Sequence, residues 1–201
     1  MTPEAFQQAT GVSRETLERL SLYASLLLKW QPAINLVGPR TLTDLWRRHF
    51  LDSAQLFPLL PPGARTLVDL GSGAGFPGLV LAIMGVEDVH LVESDQRKAT
   101  FLREVSRETA TPVTVHADRA ERLATFPADV VTARALAPLE RLIELARPFL
   151  TRDSVALFLK GQDIDSELTT ATKKTTMRVE RVPSRSDPRG TVLVLREIHR
   201  A

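Results

Sequence analysis

Apolar and polar positions follow two different rhythms along this 201-residue chain, and the rhythm changes near Arg65. Before that point the spacing is helical. Leu17, Leu20, Ala24, Leu27 and Leu28 recur at helix-compatible intervals, Ser13 is placed to cap the run, and Pro32 is placed to stop it just after Trp30. A second helix is predicted over residues 43–57, with Trp46, Phe50, Ala54 and Phe57 on one face and Pro58 closing it. The linker PLLPPGA follows.

From Arg65 onward, short β-branched runs alternate with amphipathic stretches. Strands are expected over 66–70, 88–93, 112–116, 129–133 and 154–160, and helices over 77–84, 95–109, 118–124 and 138–147. The runs TMRVERV and TVLVLREI then read as two more strands joined by the loop PSRSDPRG. Alternation of this kind builds a parallel sheet with helices on both faces, and it places ligands at the carboxyl ends of the strands. A terminal antiparallel pair departs from a dinucleotide-binding domain and matches the seven-stranded mixed sheet of S-adenosylmethionine-dependent methyltransferases. The expected organisation is α/β, with an N-terminal helical extension (1–62) packed on a catalytic domain (63–201).

The turn between the first strand and its helix, VDLGSGAGFPG, carries the most chemistry. Asp69 is followed by Gly71, Gly73 and Gly75, and glycine is needed where a ligand approaches the backbone closely at a helix start. The same turn contains a GxGxxG at Gly73, Gly75 and Gly78, so a nicotinamide dinucleotide and S-adenosylmethionine are both open on this motif alone. Asp69 fits a ligand that presents an ammonium group there. Glu93 lies 22 residues after Gly71, at the end of the next strand, where a carboxylate accepts from a ribose diol. The competing role for Glu93 is a helix cap, which Ser94 or Asp95 could also fill.

Composition removes some chemistries. There is no cysteine, which excludes disulfides, thiolate metal sites and a cysteine nucleophile, and no metal site is expected. No apolar run approaches the roughly 20 residues that span a bilayer, and the N-terminus lacks a signal layout, so a cytoplasmic protein without membrane contact is expected. The net charge is only +2, but residues 171–201 carry eight basic against three acidic side chains. Such a stretch suits a phosphate backbone and equally suits a solvated mixed-charge hairpin.

The segments KWQPAINLVG, RRHFLDS, VDLGSGAGFPGLVLA, ARALAPL and FLKGQ together resemble the glucose-inhibited division protein B family, bacterial 16S rRNA guanine-N7 methyltransferases. The resemblance runs from about Lys29 to the end. It implies a Rossmann-like class I fold, S-adenosylmethionine as donor, and methylation of N7 of a guanosine in the 530 loop of 16S rRNA, position 527 in standard rRNA numbering. The implied substrate is the rRNA within the 30S subunit or its precursor, with the chain acting as a monomer. Carried over by position, the family's cofactor contacts fall on Gly71, Phe76, Ala120, Glu121 and Arg134, which join Asp69, Gly73, Gly75 and Glu93. Without the resemblance, Glu121 reads as an ordinary exposed acid. The chain has ARAL where many relatives have SRAF, so Arg134 is kept among different neighbours.

Guanine N7 carries a lone pair in the neutral base and attacks a sulfonium methyl without losing a proton, so positioning is the enzyme's main task. Cytosine C5 methylation needs the missing cysteine, and the [DN]PP[FYW] element common in amino-group methylation is replaced by TARALAP. Asn35, His49, Arg134 and Lys160 are the polar groups expected to face the substrate, and Arg48, Arg185 and Arg189 are assigned to RNA. Each has a plain structural alternative. His49 could be a core histidine bonded to Asp52, Asn35 a loop cap, and Lys160 half of an ion pair.

Overall fold

The computed structural model describes residues 1–200, so Ala201 and the Arg200 side chain, at the end of the basic stretch, lie outside the described residues. Seven strands form one sheet: β1 (Thr66–Leu70), β2 (Asp88–Val92), β3 (Thr114–His116), β4 (Ala128–Arg134), β5 (Leu150–Lys160), β6 (Thr175–Pro183) and β7 (Thr191–Arg200). Their order is β3-β2-β1-β4-β5-β7-β6, parallel through the first five and antiparallel at β7 and β6. The strand order reverses between β1 and β4, which opens a crevice at their carboxyl ends.

Side-chain alternation sorts the core into two layers. Leu67, Val130, Leu157, Val192 and Val194 face one cluster, while Val68, Val131, Phe158, Leu193 and Leu195 face the other. Helices α3 (Gly78–Ile83) and α4 (Gln96–Glu108) cover the first layer, and α5 (Leu139–Ala146) and α6 (Ile164–Ala171) cover the second. The α6 helix was not predicted. Its sequence, IDSELTTA, is short and polar, and only Ile164, Leu168 and Ala171 are buried, yet their spacing of four and three is the helical signal. Conversely, the helix predicted over 118–124 is a single 3-10 turn, Ala120–Arg122.

The N-terminal part departs most from expectation. Helix α1 (Pro3–Thr10) precedes α2 (Arg14–Ile34); Thr2 caps it through its side chain and Pro3 occupies the first turn, where a missing N–H costs nothing. Ser13 caps α2 as expected, its Oγ accepting from the Thr16 N–H at 3.1 Å. Pro32 does not end α2. It lies in the last turn, where it forfeits one backbone bond, and the helix closes three residues later at Asn35, in the left-handed region (φ 52°).

The helix predicted over 43–57 breaks into a 3-10 turn (Pro39–Asp44), a π-helical turn (Trp46–Leu51), one α turn (Asp52–Ala54) and another 3-10 turn (Phe57–Leu59). Tertiary packing overrides the period here. Trp46 stacks on Phe50 at 4.6 Å, and Phe50 packs on Tyr23 and Phe76, so the wide π turn lets the aromatic side chains and His49 reach the domain together. Tyr23, fully buried in α2, donates its hydroxyl to the Ala74 carbonyl and stacks on Phe76 at 5.3 Å. The extension thus holds the glycine turn from behind.

Tyr23→Phe leaves the Ala74 carbonyl without its buried donor. It is expected to cost about 1–2 kcal/mol, read as a lower midpoint in urea denaturation with an unchanged slope. An unaltered midpoint would show that the bond does not hold the turn.

Candidate active site

The crevice at the strand ends is a cavity of about 950 Å³. Residues 71–74, Phe76, Glu93, Ala120 and Glu121 line one part of it, and Thr41, Arg48, His49, Asp52, Arg134 and Lys160 line another. The glycines of the turn divide by task. A Cβ on Gly75 would strike the buried Tyr23 hydroxyl at 2.6 Å, so that position serves protein packing, whereas Gly71 lines the cavity beside the exposed Leu136 side chain. Gly73 has φ +56° and no neighbour nearer than 3.8 Å, so its backbone faces open space in the cavity.

Asp69 is not where a ligand ammonium could meet it. It is fully buried beneath the turn, accepting from the Thr132 hydroxyl at 2.7 Å and from the Gly78 N–H at 3.2 Å. Burial pushes its carboxyl up from 3.8 to about 6, against the hydrogen bonds that favour the charged form. The expected ammonium contact is therefore corrected: residues 71–74 of the turn stand between Asp69 and the cavity, and the acid acts through them.

Glu93 does face the cavity. Its Oε2 accepts from the Gly73 N–H and its Oε1 from the Asp95 N–H, both at 2.8 Å, and each oxygen keeps a further acceptor site. The capping role falls to Asp95, which accepts from the N–H groups of Arg97 and Lys98. Glu121 pairs with Arg141 at the cavity edge.

At the other side, Arg134 is the hub. One Nη1 contacts the Asp52 carboxylate at 3.2 Å and the Arg48 carbonyl at 3.1 Å, Nη2 donates to His49 Nδ1 at 2.9 Å, and the guanidinium lies 5.0 Å from the Phe76 ring centre. Because Arg134 is a donor, His49 Nδ1 accepts, and Nε2 donates to the Thr41 hydroxyl at 2.7 Å. Burial, then the charges of Arg134 and Arg48, push the His49 pKa down to about 3, so the ring is neutral. The alternative His49–Asp52 bond is not made, since the carboxylate is taken by Arg134 and Ser186.

Lys160 is committed to Glu167 at 2.6 Å and to the Ala137 carbonyl at 3.2 Å. Asn35 does not line the cavity; it is the C-cap of α2, its side chain accepting from Gln31. Arg48 is at the cavity wall in an ion pair with Asp187, whereas Arg185 and Arg189 lie away from it, Arg185 bonded to the Ala9 carbonyl and Arg189 well exposed. Sequence reasoning missed Thr41, Ser186 and the role of Asp52. RRHFLDS contains Asp52, but nothing local in the sequence pairs it with a residue 82 positions away.

The family model of rRNA small subunit methyltransferase G matches residues 16–191. Ribosomal RNA small subunit methyltransferase G of Paramagnetospirillum magneticum is 63% identical over 200 residues, covering 100% of this chain and 98% of the relative. The protein of that name from Rhodospirillum rubrum is 61% identical over 201 residues, covering 100% of both. Among solved structures, a SAM-dependent methyltransferase from Aquifex aeolicus superposes with a TM-score of 0.60 at 13% identity, covering 79% of this chain and 98% of that one, a likeness of fold. The seven-stranded mixed sheet is thus the Rossmann-like class I methyltransferase sheet expected from the strand pattern.

A carboxyl whose folded pKa is raised holds its proton more tightly in the native than in the unfolded state. Its contribution is most favourable below pH 4 and is lost as pH rises from about 4 to 6. Asp69→Asn removes this titration, so the variant is expected to gain on the wild type by roughly 1–3 kcal/mol between pH 4 and 7. Urea denaturation at the two pH values checks the sign, and parallel stabilities would refute it.

Proposed function

The chain belongs to the rRNA small subunit methyltransferase G family and is an S-adenosylmethionine-dependent rRNA methyltransferase; we propose that it methylates N7 of a guanosine in the 530 loop of 16S rRNA. It acts as a monomer on the 30S particle or its precursor. The observation that carries the N7 assignment is His49: its one lone pair is taken by Arg134 and its pKa is lowered to about 3, so it takes up no proton near neutral pH. A target that must lose a proton would need a base there. Guanine N7 needs none.

The turn fits the donor. Gly73 offers a backbone that a Cβ would obstruct, Glu93 offers two acceptor sites toward a ribose, and Ala120 and Glu121 flank the same part of the cavity. S-adenosylmethionine, when bound, supplies an electrophilic sulfonium methyl. Arg134 has five N–H donors, of which three are used within the protein, leaving two for the oxygen edge of a purine. Its fixed guanidinium orients the base while Phe76 and His49 form an apolar and aromatic wall. Asn35 and Lys160 act as supports in this reading, Asn35 by ending α2 and Lys160 by fixing Glu167. Arg189, whose side chain is 72% exposed, contacts phosphate, while Arg48 and Arg185 seat the terminal loop. The oxidoreductase alternative is set aside by family membership.

Labelled S-adenosylmethionine and 30S particles lacking the modification test the proposal. The expected product is 7-methylguanosine at one site in the 530 loop, mapped by base-specific cleavage; label on another atom or in another loop overturns it. Gly73→Val is expected to weaken S-adenosylmethionine binding at least about tenfold in calorimetry, because the side chain enters the open space. The variant stays folded, melting a few degrees lower from the strain at positive φ. Normal affinity would put the donor elsewhere.

A further inference from the structure

We propose that Asp52 is a positioning residue for methyl transfer, fixing the orientation of Arg134, and that Ser186 ties this orientation to the seating of the β6–β7 loop. The inference rests on the methyltransferase reading above. Arg134 stands at the end of β4, where Ala135, with φ 51°, turns the chain away. Its long side chain has many rotamers, and something must select one.

Asp52 is the single carboxylate that Arg134 contacts among the described residues, and both side chains are mostly buried (16% and 18% exposed). The remaining partners, the His49 ring and the Arg48 carbonyl, are neutral. All three bonds have a charged donor, but the contact to Asp52 is the one between opposite charges, and it selects the rotamer.

The second oxygen of Asp52 is committed as well. Its Oδ1 accepts from the Ser186 hydroxyl at 2.5 Å and from the Gln55 amide at 3.0 Å. Gln55 continues the link, donating to Ser184 at 3.2 Å and accepting from the Arg185 N–H at 2.8 Å. Arg48 adds its ion pair to Asp187 at 2.7 Å. Residues 184–187 are thus fastened to the segment that carries His49 and Asp52. A carboxylate is a rigid plane, so a shift of Ser186 that turns Oδ1 also turns Oδ2 and moves the guanidinium. Contact of RNA with the loop then reaches the reacting centre through one side chain, without any change in the donor site.

Two variants and a spectroscopic readout decide it. Asp52→Asn is expected to lower kcat on 30S particles by about tenfold or more, as small misplacements at a reacting centre do, while KM for the particle and Kd for S-adenosylmethionine stay within about threefold. Ser186→Ala is expected to lower kcat by about threefold with the same split. In the ¹⁵N spectrum, the Arg134 Nε–H signal, sharp in the wild type, is expected to broaden or vanish in Asp52→Asn. Wild-type kcat in a folded Asp52→Asn, a loss confined to KM or to donor affinity, or an unchanged Arg134 signal would each overturn the proposal. Should the wild type itself transfer no methyl to rRNA, the functional reading falls, and the Arg134 signal alone upholds or overturns the positioning role.

Discussion

Beneath the glycine turn, a carboxyl group with no access to water joins three elements that would otherwise be free to tilt against each other. Asp69 leaves β1, accepts from Thr132 on β4, and accepts from the first N–H of α3 at Gly78. A buried acid is costly unless its hydrogen bonds are made, and here they are made by the groups whose spacing decides where the cavity opens. Gly78 has no side chain because a Cβ there would lie 2.6 Å from that of Asp69. The acid and the glycine together set how closely the helix approaches the strand, and the open backbone at Gly73 is what remains above them.

The rest of the molecule stabilises that arrangement from two sides. Tyr23 grips the turn from the N-terminal extension through one hydrogen bond and a set of aromatic contacts, while Glu93 grips it from β2 by accepting from Gly73. Charged groups near the substrate end are held equally firmly. Arg134, Asp52, His49 and Thr41 form a continuous chain of donors and acceptors, and no buried side-chain polar atom among the described residues lacks a partner. Such a network tolerates little movement, which suits a reaction governed by alignment.

The parallel sheet was legible because its strands are short, apolar and separated by turn residues, and because each helix between them buries one face. The terminal strands were legible for the same reason. What the sequence concealed has a common cause, which is that tertiary contacts outweighed local signals. Pro32 is a strong local stop, yet it falls in a last turn that can spare a bond. Trp46, Phe50 and Ala54 keep a helical period, but the segment widens into a π turn to deliver its aromatic side chains to Phe76. At the site, Glu93 and Arg134 were read from strand ends, whereas Ala120, Glu121 and His49 rested on the family resemblance; all five line the cavity. Asp69 and Gly75 belong to the same motif but sit behind the turn, a distinction that depends on which way each residue points and not on spacing.

The order of strands has a consequence for how the protein comes into being. β7 is later in the chain than β6 but lies between β5 and β6 in the sheet. During synthesis β6 therefore emerges with no neighbour, and the edge of β5 stays open until β7 slides in and pairs with both. The loop that fastens Asp52 is completed in the same event, because it joins these two strands. The anchoring of Asp52 through Ser186 is thus tied to the pairing of β7 with both of its neighbours.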